Sequence, residues 1–491
     1  MKSSRKWFER PRALEGVDES RAFSRSSGLR IALLSPYSGK NLGDAAIHES
    51  VIESLQEQCS DLELVSLSPD PEGIARRHGI AGVSIVGRLG PFRIAPAPLG
   101  VPRVERPLPP VSATQTAEAE GRGREEPVGS GSAVRRLLKR LPLMGRIVRG
   151  ALRVARACWD VRHEPLHLLR SALFARRCDL IVVCGGGQFD EQWGGPCSHP
   201  YVLFRWALLS RAVGTPFAIA SVGVGQLHSR LGRAFCRAAC RLASYRSFRE
   251  VGSLELIREW KCARSAHCVP DLALNLPRRV LSASVEPRKR HVAVSPIPFG
   301  RRGTWSTARQ ALYERYLREL ASFTQRLFDA GYEVSFFTSS LDDRVALDEL
   351  LDLVHGGRPK MQKEQFQLLP CQTSRQLVGS LATASFVVAS RLHGVILAHS
   401  CHCPTLAISF ERKVDAEMSR VGHDRYRLDI STVQADDLWT TFEALAANDT
   451  QLREELASNS CSVSADLHRQ YEALLSLARG RFVEVGATRR A

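Results

Sequence analysis

Apolar residues fall along this chain in two rhythms. Short unbroken runs such as LRIALL, CDLIVVC, TPFAIASV, HVAVS, ASFVVAS and PTLAIS alternate with longer stretches, among them AAIHESVIESLQ and LYERYLRELASFTQRLF, where apolar positions recur every three or four residues. Runs of four to eight apolar residues bounded by glycine or polar turns predict strands buried on both faces, and the helical recurrence predicts helices packed over them. Strand and helix in alternation make β-α-β units, hence parallel sheets with their working loops at the strand C-terminal ends.

The pattern is not continuous. Residues 1–27 are polar, charged and aperiodic, and read as a flexible arm. LRIALLSPYSGKNLGDAAIHESVIESLQEQ reads as strand, loop and helix, and DLELVSLSPD adds a second strand. The span 91–132, with APAPLGVPRVERPLPP at its start, holds too much Pro, Gly, Ser and Thr to build a core and reads as a disordered insertion. Residues 133–158 follow with arginines set between leucine, isoleucine and valine and no acid, the pattern of a basic amphipathic helix broken at Pro142 and Gly145. The β-α rhythm resumes near residue 159, is interrupted by the polar PRRVLSASVEPRKR, and restarts at HVAVSPIPFG. We therefore expect an α/β protein of two Rossmann-like, doubly wound domains facing one another across a cleft. The first takes residues 28–90 and 159–287, the second 288–431, and helices over 432–491 pack back across them.

Composition narrows the class. At 491 residues and 44% hydrophobic, the chain exceeds one ordinary core. Its net charge of +17 is carried by arginine more than lysine, which suits phosphate, carboxylate or an anionic surface. No nucleic-acid module or arginine-aromatic stripe is present, so nucleic acid is not an expected partner. Thirteen cysteines, an odd number set mostly inside apolar runs, fit reduced thiols in a cytoplasmic protein. The basic N-terminus lacks a following apolar region, and no segment has the apolar length of a membrane span. Residues 133–157 can either lie on an anionic inner membrane face or pack on the domain with a solvated basic face.

Candidate chemistry gathers at strand ends. In VVASRLHGVILAHSC, Arg391 and His393 lie two apart after an apolar run, where extended geometry would turn both side chains to one side. Gly394 permits close approach, and the next segment reads as a helix whose N-terminus favours an anion. Arginine grips phosphate or carboxylate bidentately, and histidine exchanges protons near neutrality. A structural arginine and a hydrogen-bonded core histidine would give the same pattern. In NLGDAAI, Asp44 either orients or deprotonates a hydroxyl or caps the helix that follows. Gly185, Gly186 and Gly187 mark a tight strand exit that is not a P-loop, since no Gly-Lys-Ser/Thr follows. Asp271 after Pro270 is a cleft-edge carboxylate or a turn cap. Cys401-His402-Cys403 lacks a second ligand pair at zinc spacing, and no metal is expected.

Seven segments, NLGDAAI, GGGQFD, SVGVG, FREVGS, PDLAL, SRLHGVILAHS and PTLAISFERK, occur in the order and spacing of the polysaccharide pyruvyl transferase family, which this chain resembles over roughly residues 28–431 outside the insertion and basic helix. The resemblance implies a fold similar to two-domain, GT-B type glycosyltransferases. It implies transfer of the pyruvyl unit of phosphoenolpyruvate to hydroxyls of a glycan or lipid-linked sugar, with release of phosphate and no cofactor. It assigns donor binding to Arg391 and Leu392, the general acid to His393, and a second donor cation to Arg249 of FREVGS. It places Asn41, Gly43 and Asp44 at the mouth of the first strand and matches Lys413 to the family's lysine. An Arg-Glu helix start and a surface lysine are the ordinary readings of Arg249 and Lys413. The alternatives for function are a nucleotide-sugar-dependent glycosyltransferase and a non-catalytic glycan- or membrane-binding protein on the same scaffold.

Overall fold

The structure, a computed structural model, describes residues 28–37, 41–85, 94–95, 164–192, 194–262, 265–276, 288–299, 307–357 and 367–480. The expected arm at 1–27, the basic helix at 133–158 and all but two residues of the 91–132 insertion lie outside these. Those two, Ile94 and Ala95, form a short antiparallel edge strand, so the sheet extends into the proline-rich span.

Two sheets carry the fold. In the first, β1 (Leu29–Leu34), β2 (Leu62–Ser68), β3 (Ala81–Ser84), β4 (Ile94–Ala95), β5 (Leu180–Cys184), β6 (Phe217–Val222), β7 (Tyr245–Phe248) and β8 (Ala266–Cys268) lie in the order β4-β3-β2-β1-β5-β6-β7-β8. All are parallel except β4. In the second, β9 (His291–Ser295), β10 (Glu333–Phe336), β11 (Gln367–Leu368), β12 (Phe386–Ala389), β13 (Thr405–Ser409) and β14 (Arg427–Asp429) lie in the order β11-β10-β9-β12-β13-β14, all parallel. Each chain path runs outward from its first strand and returns to that strand's other side. The path therefore reverses between β1 and β5 and between β9 and β12, and crevices at such switch points take ligands.

Helices cover both faces. On the first sheet, α1 (Leu42–Gln58) and the short 3-10 turn Leu272–Asn275 pack on the side that meets the second half. After α2 (Pro71–His78), α3 (Glu164–Ala175), α4 (His199–Val213), α5 (Arg230–Leu242) and α6 (Val251–Glu259) pack on the other side through Phe174, Leu203, Trp206, Cys236 and Leu254. The second sheet is flanked by α7 (Thr307–Asp329), α8 (Arg344–Gly357), α9 (Ser374–Ala382), α10 (Leu392–Ser400) and α11 (Arg412–Arg420), then α12 (Ala435–Ala447) and α13 (Asp449–Ala478). Apolar strands such as LIVVC are fully buried, each large side chain contributing roughly 1.5–3 kcal/mol over exposure.

Among the described residues the halves are tied together in three places. The N–H of Leu42 donates to the Ser339 carbonyl at 2.8 Å. Ser374 donates to Glu49 at 2.8 Å, and Arg375 pairs with Glu49 and Glu53 of α1. Helix α13 spans both: near its start Arg453 reaches the His402 carbonyl at 3.3 Å and Asn459 accepts from Arg420 at 2.8 Å. Further along, Ser464 meets Asn275 at 3.3 Å, and Gln470 accepts from Tyr245 at 3.2 Å and donates to Ser221 at 3.0 Å. The inner core is consequently one continuous cluster running through both halves.

Among the described residues no helix is long and apolar enough to cross a membrane, and no group of three or more His, Cys, Asp or Glu is placed to hold a metal ion. The described cysteines are free thiols. Those of Cys401 and Cys403 reach the carbonyls of Val378 and Ala384.

Candidate active site

The two switch points face each other, and the residues singled out in the sequence converge there. Asn41 ends the loop after β1 and caps α1, its side chain accepting the Gly43 N–H at 2.8 Å. Asp44 is thus not the cap; it stands in the first turn with its carboxylate free to face the cleft. Gly185 and Gly186 leave β5 with φ of 51° and 66°, a left-handed path that costs glycine nothing. A Cβ on Gly186 would stand 3.7 Å from Asp44 Oδ1, so this turn walls the carboxylate. Gly187 is exposed.

In the same sheet, Arg249 follows β7 and lies across Gly223, where a Cβ would come within 2.6 Å of Nε. Its Nη1 donates to Asp271 Oδ2 at 3.0 Å, and Glu250 stands 3.6 Å from its Nε. Asp271 also caps the 3-10 turn, its Oδ1 accepting from the Ala273 N–H at 3.0 Å. Both readings of Asp271 therefore hold at once: it closes a turn and holds a cleft cation.

Across the cleft, Arg391 and His393 do not share an extended strand. β12 stops at Ala389, Arg391 precedes the first turn of α10 in extended conformation, and His393 lies inside that helix. The helical turn, not strand alternation, sets their separation. Arg391 is gripped by the fully buried Asp343, Nε donating to Oδ2 at 2.6 Å and Nη2 to Oδ1. Leu392 points into the core and offers a ligand only its backbone. Gly394 sits 3.3 Å, by a virtual Cβ, from Ala389, a packing contact and not an approach to ligand. Lys413, in the first turn of α11, pairs with Glu411 and is about one-third exposed.

Three helices, α6, α10 and α11, start at this cleft with Glu250, Arg391 and Glu411 at their caps, and none of the three caps makes a side-chain bond to its helix. Their first N–H groups and positive dipole ends meet at the cleft beside three cations, each held by a carboxylate: Arg249 by Asp271, Arg391 by Asp343 and Lys413 by Glu411.

The electrostatics tie these residues into one unit. Burial and then Asp271 raise the Asp44 carboxyl to about 6, against Lys413, Arg249 and Arg391, which lower it. Burial first, and then Arg249, Lys413 and Arg391, push the His393 imidazole down to about 4, with Asp271 opposing. The histidine that the sequence suggested would titrate near neutrality is therefore held neutral by its surroundings. Its Nε2 is buried with no hydrogen-bond partner among the described residues. The ring lies against α1: a Cβ on Gly43 would fall 2.0 Å from Cγ of His393 and 2.1 Å from Nδ1.

Three participants were not singled out in the sequence. Asp343 anchors Arg391, and burial raises its carboxyl against the pull of that arginine. Glu411 pairs with Lys413. Asp190, within GGGQFD, accepts the Gln192 N–H at 2.7 Å and is raised by burial, with Lys413 and Glu411 acting on it from across the cleft. Asp190 was legible in principle as a carboxylate after a glycine-rich strand exit; Asp343 carries no local mark.

The raised Asp44 has a stability signature. Its folded pKa lies above the ordinary 3.8, so between those values the folded state holds a proton that the unfolded chain has lost, and stability falls as pH rises through about 6. Asp44→Asn removes that cost. It is expected to stabilise the ligand-free protein by on the order of 1–2 kcal/mol at about pH 7.5, the gain vanishing near about pH 4. Thermal melts of both proteins across that range check the sign; a gain that grows on acidification contradicts the assignment.

No curated protein matches the sequence. Among solved structures, a UDP-N-acetylglucosamine 2-epimerase is 11% identical with a TM-score of 0.53, covering 95% of this chain and 100% of its own. The UDP complex of MnaA from S. aureus is 9% identical with a TM-score of 0.50, covering 92% of this chain and 98% of its own. At such identity the likeness is one of fold, the two-Rossmann-domain, GT-B type architecture. The sequence model of polysaccharide pyruvyl transferases matches residues 41–412, from the cap of α1 to the start of α11, and the chain belongs to the polysaccharide pyruvyl transferase family.

Proposed function

We propose that the protein transfers the pyruvyl group of phosphoenolpyruvate to hydroxyls of a glycan or lipid-linked sugar, forming a ketal and releasing phosphate. One observation carries the reading: cations from both halves of the molecule, Arg249 on one side and Arg391 and Lys413 on the other, act on the same histidine and the same carboxylate. A trianionic donor suits such a site, and a donor gripped from both sides draws the halves together.

The chemistry follows from the charges. Bound donor brings negative charge to His393, which favours its imidazolium and supplies the proton that the free site lacks. His393 protonates the methylene carbon, leaving an oxocarbenium-like centre at the carbon bearing phosphate. An acceptor hydroxyl attacks that carbon, its proton passing to Asp44, which is ionised near neutral pH and basic enough to accept it. Phosphate departs against Arg391, Arg249 and the start of α10, and a second hydroxyl closes the ketal, giving its proton to the departing phosphate. One phosphoenolpyruvate and two hydroxyls thus become one ketal carboxylate and hydrogen phosphate. These steps use side chains alone, without a cofactor.

Incubation with phosphoenolpyruvate and bacterial glycan or lipid-linked saccharide fractions, followed by phosphate assay and detection of the ketal methyl group by proton NMR, tests the proposal. Phosphate release dependent on acceptor, with a new ketal methyl signal, is the expected result. The solved structures of the same fold include a UDP complex, so nucleotide-sugars form the comparison arm. Turnover of a nucleotide-sugar with phosphoenolpyruvate inert would replace this reading with a glycosyltransferase. A protein that binds glycan or vesicles and turns over neither donor would make it a non-catalytic binder.

A further inference from the structure

Helices α3, α4 and α5 lie side by side on the face of the first sheet that points away from the second half. Phe174 of α3 meets Trp206 of α4 edge-on at 6.4 Å, and Phe204 of α4 stacks on Phe235 of α5 at 5.2 Å. Their inner sides fill the core; their outer sides are unusual. On α3, Leu166, Leu169 and Leu173, at i, i+3 and i+7, are 52%, 59% and 47% exposed and form one stripe along the helix. Leu208 on α4 and Leu231 on α5 continue the apolar surface at 47% and 46% exposure.

The charges on this face are mostly positive; Glu164 at the start of α3 and Glu191 beside the start of α5 are exceptions, the first engaged by Tyr201 and Arg205 and the second by Ser229. From His199 to Leu242 the chain has six arginines and no Asp, Glu or Lys. Arg211, Arg230, Arg233 and Arg241 are exposed, and Arg230, Arg233 and Arg241 recur along the outer side of α5. An ordinary surface helix intersperses both signs and keeps large leucines inward. Exposed leucines set among exposed arginines match the polar-apolar boundary of an anionic bilayer.

We propose that the outer face of α3–α5 docks on an anionic lipid bilayer, the leucines entering the headgroup-acyl boundary and the arginines meeting lipid phosphate. Charge decides against the other occupants. Two copies of this face would set arginine against arginine, and residues 133–157 of the same chain are themselves arginine-rich and without acid. Because α4 follows β5 and Tyr201 in its first turn donates to Glu164 at the start of α3, both helices begin at the cleft edge of the sheet. A docked bilayer therefore lies beside the cleft mouth, the side from which a lipid-linked acceptor arrives on the reading above. The docking surface itself does not depend on that reading.

Flotation with vesicles of phosphatidylcholine alone and with three-tenths phosphatidylglycerol tests it, using the full chain, a Leu166→Asn/Leu169→Asn/Leu173→Asn variant, an Arg230→Ser/Arg233→Ser/Arg241→Ser variant and a deletion of 133–157. Wild type is expected to float only with the anionic vesicles and to detach as salt rises. Each surface variant should lose at least tenfold in partitioning with an unchanged melting temperature, and the deletion should retain a component that the leucine variant abolishes. Surface variants that bind like wild type overturn the proposal, as does a deletion that alone abolishes binding. A concentration-dependent dimer in sedimentation that the leucine variant dissolves would also overturn it, assigning the face to a second copy.

Discussion

His393→Ala is expected to lower the rate of acceptor-dependent phosphate release by about 10²–10⁴-fold while changing donor affinity only a few-fold. The division follows from the geometry. Arg391 is fixed by Asp343, and Arg249 by Asp271, so donor grip survives loss of the imidazole. What is lost is the proton, since Nε2 of His393 is buried, unpartnered among the described residues and without charge until an anion arrives. Titration with phosphoenolpyruvate in parallel with turnover separates the terms: a KM effect at constant kcat would make His393 a binding group and remove it as the acid. His393→Gln, which keeps polarity and much of the volume, should be as inactive as alanine. Partial recovery by Gln would point to positioning instead of proton transfer.

Gly43→Ala is expected to lower the same rate by at least about 10²-fold, although alanine is the better helix former by roughly 1 kcal/mol. The new Cβ would overlap Cγ and Nδ1 of His393, and neither partner has room to yield. Gly43 lies in the first turn of α1 beside its bond to Asn41, and His393 lies in α10, every residue of which is buried. The halves must therefore separate or the ring must leave its rotamer, at about 1–3 kcal/mol and with the reacting groups misaligned. A double-mutant comparison checks the cause: once His393 is alanine, adding Gly43→Ala should cost almost nothing further. Fully additive losses would show that Gly43 matters for some reason other than the ring above it.

Much of the architecture was legible in the chain because parallel sheets covered on both sides write themselves as unbroken apolar runs. LRIALL, LIVVC, FAIASV and HVAVS became β1, β5, β6 and β9, and the glycine-bearing segments after them became cleft loops. Arg391, His393, Arg249 and Asp44 were visible as charges interrupting that pattern, and the structure brings them to one place. What the sequence withheld depends on contacts distant along the chain. Asp343 stands 48 positions from Arg391 in a stretch that reads as an ordinary acidic helix start, and nothing local tells that it is buried. The neutral state of His393 arises from burial first and then from cations on three separate elements, none of them its neighbour in sequence except Arg391. The helical setting of Arg391 and His393 was hidden because an apolar strand running into an apolar helix leaves no periodic break between them.

Helix α13 also bears on the order in which the molecule can be made. Its residues follow every group that lines the cleft, yet its second half supplies contacts to Tyr245, Ser221 and Asn275 in the first sheet. On the ribosome, a growing chain holds both halves of the site before the element that bridges them has been translated. Ser221, with its φ of 51°, waits for Gln470 across just over half the length of the protein. A chain halted before residue 449 therefore has all the chemical groups, and holds its halves together only through Leu42–Ser339 and the Glu49 and Glu53 contacts of Ser374 and Arg375.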